Sequence, residues 1–369
     1  MASTDTRTTG AEAALLTAAR DGDEDAFARL LAPYRSELHA HCYRMLGSVH
    51  DAEDALQDAS LRAWRGLARF EGRSSLRSWL YTIATNTCLN AISRRPKRVL
   101  PIDYGPATDP HDGLGMPVIE TVWIEPYPDE MLGVEDGLAA PEARFEQRES
   151  LELAFVAALQ LLPATQRAVL ILREVLGFSA KETAETLETT VASVNSAMQR
   201  ARKTIDDKLP ERSQQETLRA LGDEKLQEIV DAYMDALQRA DVPKVVSMLA
   251  EDAAWSMPPL PTWFVGTAGI TGFLKFGPLS GEWRWRHLPT RVNGQVAVGV
   301  YQWDDDEQAF LPFALDVITL DGDRIKQVTA FITRVAESAD PEHYTRWPDQ
   351  PLDRSRFVFE TFGLPPKLD

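Results

Sequence analysis

Asp54 and Asp58 stand one helical turn apart, and Arg62 follows one turn later, within DAEDALQDASLRAW at residues 51–64. Like charges at this spacing cost a helix roughly 0.2–0.5 kcal/mol, and the Asp58–Arg62 pair recovers a similar amount. Ala52, Ala55, Leu56, Ala59 and Ala63 repeat at the interval of one buried helical stripe. Asp54, Gln57, Asp58, Leu61, Arg62 and Arg65 are left for the opposite face. Carboxylates near a helix start suit the macrodipole, so a solvated acidic turn is one reading. The other is a docking face for a basic partner, with Leu61 as its apolar contact.

Two further groups have the chemistry of nucleic-acid contact. In FEGRSSLRSWLYTIATNTCLNAISRR (residues 70–95), Ser74 or Ser75 can cap a helix whose inner stripe is Leu76, Leu80, Ile83 and Thr87, with Trp79 beside it. Arg77, Tyr81, Asn86, Asn90 and Arg94 are expected outside that stripe. Arginine supplies phosphate contacts, while amides and aromatic rings read or stack on unpaired bases. Further on, ATQRAVLILREVLG is an amphipathic helix closed by Gly177. SAKETAETL starts at Ser179 with Glu182 at capping-box distance, and Thr190 can cap a last helix. That helix is expected to bury Val194, Met198, Ala201 and Ile205. It would expose Ser193, Asn195, Ser196, Gln199, Arg200 and Lys203, the pattern of a helix-turn-helix recognition helix.

The elements that carry these groups belong to a chain of 369 residues, enough for two or three domains. Its net charge is -17, which excludes a protein coated with basic residues, so any DNA contact must use local patches and outside help. Arg62 to Arg98 is such a patch, with Glu71 almost its only acid. Residues 100–143 reverse the sign and are broken by seven prolines, which excludes long helices and central strands. This stretch is expected to be an extended acidic linker between a helical module at 11–99 and a second at 144–212. Cys42 and Cys88 form neither a disulfide framework nor a metal-ligand spacing. No phosphate-binding loop or nucleophile–base pair occurs, and neither a membrane-spanning run nor a signal-peptide core is present, so a cytoplasmic protein without cofactors is expected.

A third module, 216–340, opens with helices. Leu226, Ile229, Val230, Tyr233 and Leu237 mark the inner face of the first long one. Alternating strands follow, with Asn293-Gly294 and Asp321-Gly322 as hairpin turns. Helices followed by an antiparallel meander give an α+β fold. Trp255, Trp263, Phe264, Phe273, Trp283, Trp285 and Tyr301 are dense enough to anchor a core or line a small apolar pocket.

Together, DAEDALQDASLRAW, FEGRSSLRSWLYTIATNTCLN, LQLLPATQRAVLILREVLGFSAKETAETL and VNSAMQRAR resemble the extracytoplasmic-function sigma factors. The resemblance implies an all-α region 2 that binds core RNA polymerase and melts the -10 element, and an all-α region 4 that places a helix-turn-helix in the -35 major groove. It assigns Asp54, Gln57, Asp58, Leu61 and Arg62 to the polymerase clamp helices, with the flap as a further partner surface. Arg73, Ser74, Arg77, Asn86, Asn90 and Arg94 fall to the -10 element. Ser193, Asn195, Ser196, Gln199, Arg200 and Lys203 fall to the -35 element. Ser60 stands where the family often has a large apolar residue, and Ala197 where a recognition helix often has a basic one.

The third module resembles the SnoaL-like, NTF2-like cone, which is found fused behind region 4 in one group of these factors. The stretch VWIEPYPDEML and the tail 341–369, ending FETFGLPPKLD, look like that group's linker and tail. The resemblance implies regulation by the fused domain, with an unknown small molecule as a candidate ligand. Some cone relatives use a pocket His and Asp for acid–base chemistry. His287 and Asp316 are the matching candidates, together with Trp255, Trp263, Phe273, Trp285 and Tyr301 as pocket walls. A bifunctional factor with isomerase, cyclase or hydrolase activity is the alternative. It needs hydrogen-bond reach and a perturbed pKa, whereas a plain polar pair needs neither. A simple helix-turn-helix repressor would leave the acidic face at 54–62 without a purpose.

Overall fold

The protein is described here from a computed structural model covering residues 10–115, 118, 122–132, 141–333 and 359–369. In chain order the first helices are α1 (Gly10–Arg20), α2 (Glu24–Leu31), α3 (Arg35–Leu46), α4 (Val49–Gly66), α5 (Leu76–Ile92) and the single turn α6 (Pro101–Tyr104). Next come α7 (Pro141–Glu149), α8 (Leu153–Leu161), α9 (Ala164–Leu170, continued by a π turn to Val175), α10 (Ala180–Thr186) and α11 (Val191–Asp206). Then follow α12 (Gln214–Leu221), α13 (Asp223–Gln238) and α14 (Val242–Met248). Strands β1 (Leu249–Ser256) and β2 (Trp263–Val265) precede α15 (Gly266–Phe276). The chain continues through β3 (Trp285–Val292), β4 (Gln295–Asp304), β5 (Ala309–Asp321) and β6 (Arg324–Ile332). The described residues fall into two compact units: those within 1–95 and 162–203, and those within 96–161 and 204–369.

The first unit is helical, and its helix starts are set by side chains. Asp23, Ser48 and Ser75 each accept a hydrogen bond from a backbone N–H in the first turn that follows. The alanine stripe of α4 is buried as spaced, with Ala52 and Ala63 fully enclosed, so α3 and α5 approach it closely. Tyr81, expected outside the inner stripe of α5, is instead fully buried. Its ring meets His41 and Phe178 edge-on, and its hydroxyl donates to Glu37. A phenol can bury its ring when its polar tip has such a partner.

α9 and α10 rest on α3 and α5. Buried Arg167 donates to the carbonyls of Met45 and Leu162, and burial pushes its pKa down to about 10. The Ser179–Glu182 capping box forms, and Thr190 accepts from the Ser193 N–H at 3.1 Å. Val169, Ala184, Val194 and Ala197 make the core of the helix-turn-helix. Ala197 therefore points inward, and the lack of a basic side chain there removes nothing from the exposed face.

The second unit holds a six-stranded sheet in the order β2-β1-β6-β5-β4-β3. β3 to β6 form the expected antiparallel meander, but β1 joins β6 in parallel, so the sheet is mixed. Parallel neighbours need a long connection, and the path through β2, α15 and three more strands supplies it. Asn293 (φ 55°) and Gly294 (φ 69°) make the tight β3–β4 turn. The apolar face of α13 is buried as its spacing requires.

Residues 100–143, expected as an extended linker, are fastened to the cone at several of the described points, and residues 122–124 pair with Val99. Thr108 N–H donates to the Trp263 carbonyl, and Trp263 Nε1 donates to the Gly105 carbonyl. Asn293 and Tyr127 exchange bonds: Tyr127 N–H donates to Asn293 Oδ1 at 2.9 Å, and Asn293 N–H donates to the Tyr127 carbonyl. Proline density had argued only against regular structure. It does not prevent irregular chain from satisfying its polar groups on a neighbouring sheet.

Candidate functional site

The acidic face of α4 is open. Asp54, Gln57, Asp58, Leu61 and Arg62 are all exposed, Leu61 at 53%, a large value for leucine on a folded helix. Among the described residues Asp54 and Asp58 form no ion pair, whereas neighbouring Glu53 is bound to Arg35 at 2.7 Å. The Ser60 hydroxyl turns back to the Leu56 carbonyl at 2.7 Å and presents little surface. The face is thus two free carboxylates around one apolar side chain, ended by an arginine.

The six residues assigned to unpaired bases do not form one patch. Asn86 and Asn90 stand one turn apart on the later half of α5, and exposed Arg94 follows in the turn just past its end. Arg77 lies nine residues before Asn86, about half a turn away around the helix axis. It is held by Glu37 at 3.4 Å, and its guanidinium lies over the rings of Tyr81 and Phe178, at 4.8 and 5.5 Å. Arg73 and Ser74 are exposed in the loop before α5, with Arg73 paired to Glu71. Only the Asn86–Asn90–Arg94 line offers a continuous polar surface. Arg77 is occupied by the ring that follows Gly177, a contact that spacing within α5 cannot reveal.

On α11 all six expected residues are exposed. At about 100° per residue they fit within roughly half the circumference. The opposite side buries Val194, Ala197, Ala201 and Ile205. Glu174 fixes Arg202 at its margin at 2.5 Å. This surface suits an insertion into a major groove, with amide and hydroxyl groups for base edges and cations for phosphates.

Inside the cone, Trp255, Phe273, Trp283, Trp285, His287 and Asp316 are among the side chains lining a cavity. Tyr301 and Trp263, expected with them, are not. Tyr301 faces the other side of the sheet, where its hydroxyl donates to the Pro365 carbonyl and its ring meets Phe359 edge-on. Trp263 sits on edge strand β2 against residue 105. Asp316 accepts from the Tyr233 hydroxyl at 2.8 Å, and burial pushes its pKa up to about 7. Burial pushes His287 down to about 4, so the imidazole is neutral near pH 7. No hydrogen bond joins the two among the described residues, so they do not stand as a coupled acid–base pair.

Sequence reasoning missed the fastening points around the cone. The Asn293 side chain donates to the Leu151 carbonyl while accepting from Tyr127, and Gly294 N–H donates to Asp129. Buried Glu152 accepts from Gln214 and Gln215 N–H, and its pKa rises to about 7 because burial outweighs these bonds. Gln214 in turn bonds both backbone groups of Leu320. Phe359, Phe362 and Leu364 of the tail are buried, and the Phe310 and Leu368 backbones pair. Phe357, also apolar, lies outside the described residues.

Comparison with known proteins fits this division. Residues 30–98 match sigma-70 region 2, residues 152–205 match sigma-70 region 4, and residues 230–328 match the SnoaL-like domain. The ECF RNA polymerase sigma factor SigG of Mycobacterium tuberculosis is 41% identical over 315 residues, covering 85% of this chain and 82% of SigG. The chain belongs to the extracytoplasmic-function sigma factors. SigW of Bacillus subtilis is 30% identical over 192 residues, 52% of this chain and 92% of SigW. The crystal structure of Mycobacterium tuberculosis SigJ shares the fold, with a TM-score of 0.50 at 21% identity, over 87% of this chain and 98% of SigJ. This sigma factor is accordingly a transcription initiation protein that serves RNA polymerase at promoters, not an enzyme. None of its described helices is long and apolar enough to cross a membrane.

Proposed function

We propose that the cone domain governs this sigma factor by holding the segment that joins its two promoter-binding modules. The observation that carries this reading is the pair of hydrogen bonds of the Asn293 side chain, which accepts from the Tyr127 N–H and donates to the Leu151 carbonyl and so fastens residues 127 and 151 to one hairpin turn. A free connection of this length would let regions 2 and 4 adopt many separations, and closing it onto a promoter would cost entropy. A fastened connection samples fewer.

In this reading Asp54, Gln57, Asp58, Leu61 and Arg62 dock on the basic clamp helices of core polymerase, and region 4 also meets the flap. Asn86, Asn90 and Arg94 take unpaired -10 bases. Arg73, Ser74 and Arg77 contribute once Arg77 leaves Phe178. Ser193, Asn195, Ser196, Gln199, Arg200 and Lys203 read the -35 element. The protein would work in the cytoplasm, where polymerase and promoter are. The test is run-off transcription with core enzyme on templates of graded -10/-35 spacing. It compares the full chain with one ending at Arg212. The full chain should favour one spacing sharply, and the shortened chain should accept several. Identical spacing profiles and yields would reject the proposal.

A further inference from the structure

Three arginines meet at a cleft that neither the polymerase-docking face nor the promoter-binding helices use. It lies in the second unit, between α7, the corner of α12 and α13, and the end of β3, with a volume of about 310 Å³. One water molecule needs roughly 10–15 Å³ measured this way, so the space would take roughly twenty or more. That is room for a nucleotide rather than for a lone phosphate.

Arg148, Arg219 and Arg291 line the cleft, and Phe145, Leu218 and Leu226 give it an apolar wall. Among the described residues none of the three arginines forms an ion pair, whereas Arg35, Arg98, Arg202 and Arg239 each do. The Arg219 guanidinium lies over the Phe145 ring, 4.0 Å from its centre, a contact that uses none of its N–H groups as hydrogen-bond donors. No hydrogen bond holds the buried Nε of Arg148. Two carboxylates are near. Asp223 lines the cleft, and Asp129 stands close enough to feel the charges of Arg148 and Arg291, although its Oδ1 is taken by the Gly294 N–H. Three guanidiniums against two carboxylates leave an excess of positive charge, in a chain whose net charge is -17. Guanidinium groups recognise phosphate through paired N–H donors, and several on one site select a polyanion.

We propose that this cleft binds a nucleoside diphosphate, with the phosphates on Arg148, Arg219 and Arg291 and the base on the apolar wall. The inference does not rest on the control of the linker proposed above. It has a structural consequence of its own. α7 leads into region 4, α12 leads out of it, and Arg291 belongs to the sheet. Glu152 already ties the two flanks by accepting from Gln214 and Gln215 N–H. A diphosphate held by all three arginines would clamp both flanks of region 4 to the cone.

The test uses the full chain at physiological salt and four probes: ADP, pyrophosphate, inorganic phosphate and adenosine. Pyrophosphate carries the charge without the base, and adenosine the base without the charge. Calorimetry should show saturable 1:1 binding of ADP, tighter than pyrophosphate and at least tenfold tighter than inorganic phosphate, with no binding of adenosine at the same concentrations. Arg219→Gln and Arg291→Gln change exposed side chains, so the fold should persist, as circular dichroism would report. Each should weaken ADP at least tenfold. Arg239→Gln removes an exposed cation outside the cleft and should leave ADP affinity within twofold. The proposal fails if ADP does not saturate, if either cleft variant keeps the parent affinity, or if Arg239→Gln weakens ADP as much as they do. ADP no tighter than pyrophosphate would overturn the nucleoside part. Displacement of ADP by a short DNA duplex, one for one, would overturn the small-molecule reading in favour of a DNA backbone.

Discussion

Replacing Asn293 with glycine isolates the fastening from everything else at the turn. Glycine keeps the left-handed backbone that position 293 requires (φ 55°), so the β3–β4 hairpin is retained. What disappears is one acceptor for the Tyr127 N–H and one donor to the Leu151 carbonyl, made at 2.9 and 2.8 Å by a fully buried side chain. A buried group left unpaired costs about 1–3 kcal/mol, so two cost about 2–6 kcal/mol before relaxation. That is comparable with the roughly 5–15 kcal/mol that holds a whole domain. The 127–151 segment should therefore detach before the sheet unfolds. Asn293→Asp is the companion variant: it still accepts from Tyr127 but sets a carboxyl oxygen against the Leu151 carbonyl. Hydrogen exchange at Tyr127 should accelerate strongly in Asn293→Gly, and Leu153, which donates to Gln295 next to the turn, should follow. The spacing profile in run-off transcription should broaden. Unchanged protection at Tyr127 would refute the energetic argument. Faster exchange with an unchanged spacing profile would refute the link from fastening to function.

The cone's stability should carry a readable proton balance. Asp316 and Glu152, both raised to about 7, bind a proton more tightly when folded. Their contribution is complete below the unfolded values near 4 and is lost as pH rises to about 7. His287, lowered to about 4, acts oppositely: its contribution is complete above about 6.5 and is lost as pH falls toward 4. Between pH 4.5 and 6.5, denaturation of His287→Leu should lose stability with rising pH more steeply than the parent, by up to about 1.4 kcal/mol per pH unit, and Asp316→Asn less steeply by a similar amount. Equal slopes in all three would refute these shifts. Asp54→Arg and Leu61→Arg should each weaken core polymerase binding at least tenfold with helicity unchanged, since both side chains are exposed, and unaltered affinity would reject the docking face. Lys203→Ala should lower the salt dependence of promoter binding by the holoenzyme by about one phosphate contact, and an unchanged slope would remove Lys203 from the -35 surface. Leu364→Ala should destabilise the second unit by about 2–5 kcal/mol, because Leu364 fills the space above Gly299, and an unchanged denaturation midpoint would mean the tail does not pack there.

Local physics made much of this protein legible in sequence. The alanine stripe of α4, the caps at Ser75, Ser179 and Thr190, the polar face of α11 and the Asn293-Gly294 turn all follow from residue type and short-range spacing, which depend on the chain's immediate geometry. The family resemblance rested on those same residues. Tertiary structure decided what depends on partners distant in the chain. Arg77 and Tyr81 lie on α5 as expected, but Phe178, roughly a hundred residues later, determines that one is capped by a ring and the other buried. Ala197 is core because Val169 and Ala184 face it. Tyr301 and His287 lie on paired strands, yet His287 stands opposite Val300, and strand alternation turns the next residue, Tyr301, to the other face, so of the two only His287 lines the cavity. Composition marked residues 100–143 as irregular, but could not say that Asn293 and Thr262 would satisfy backbone groups of Tyr127 and Leu114. Hydrogen-bond partners of irregular chain have no period, and only the folded surface supplies them.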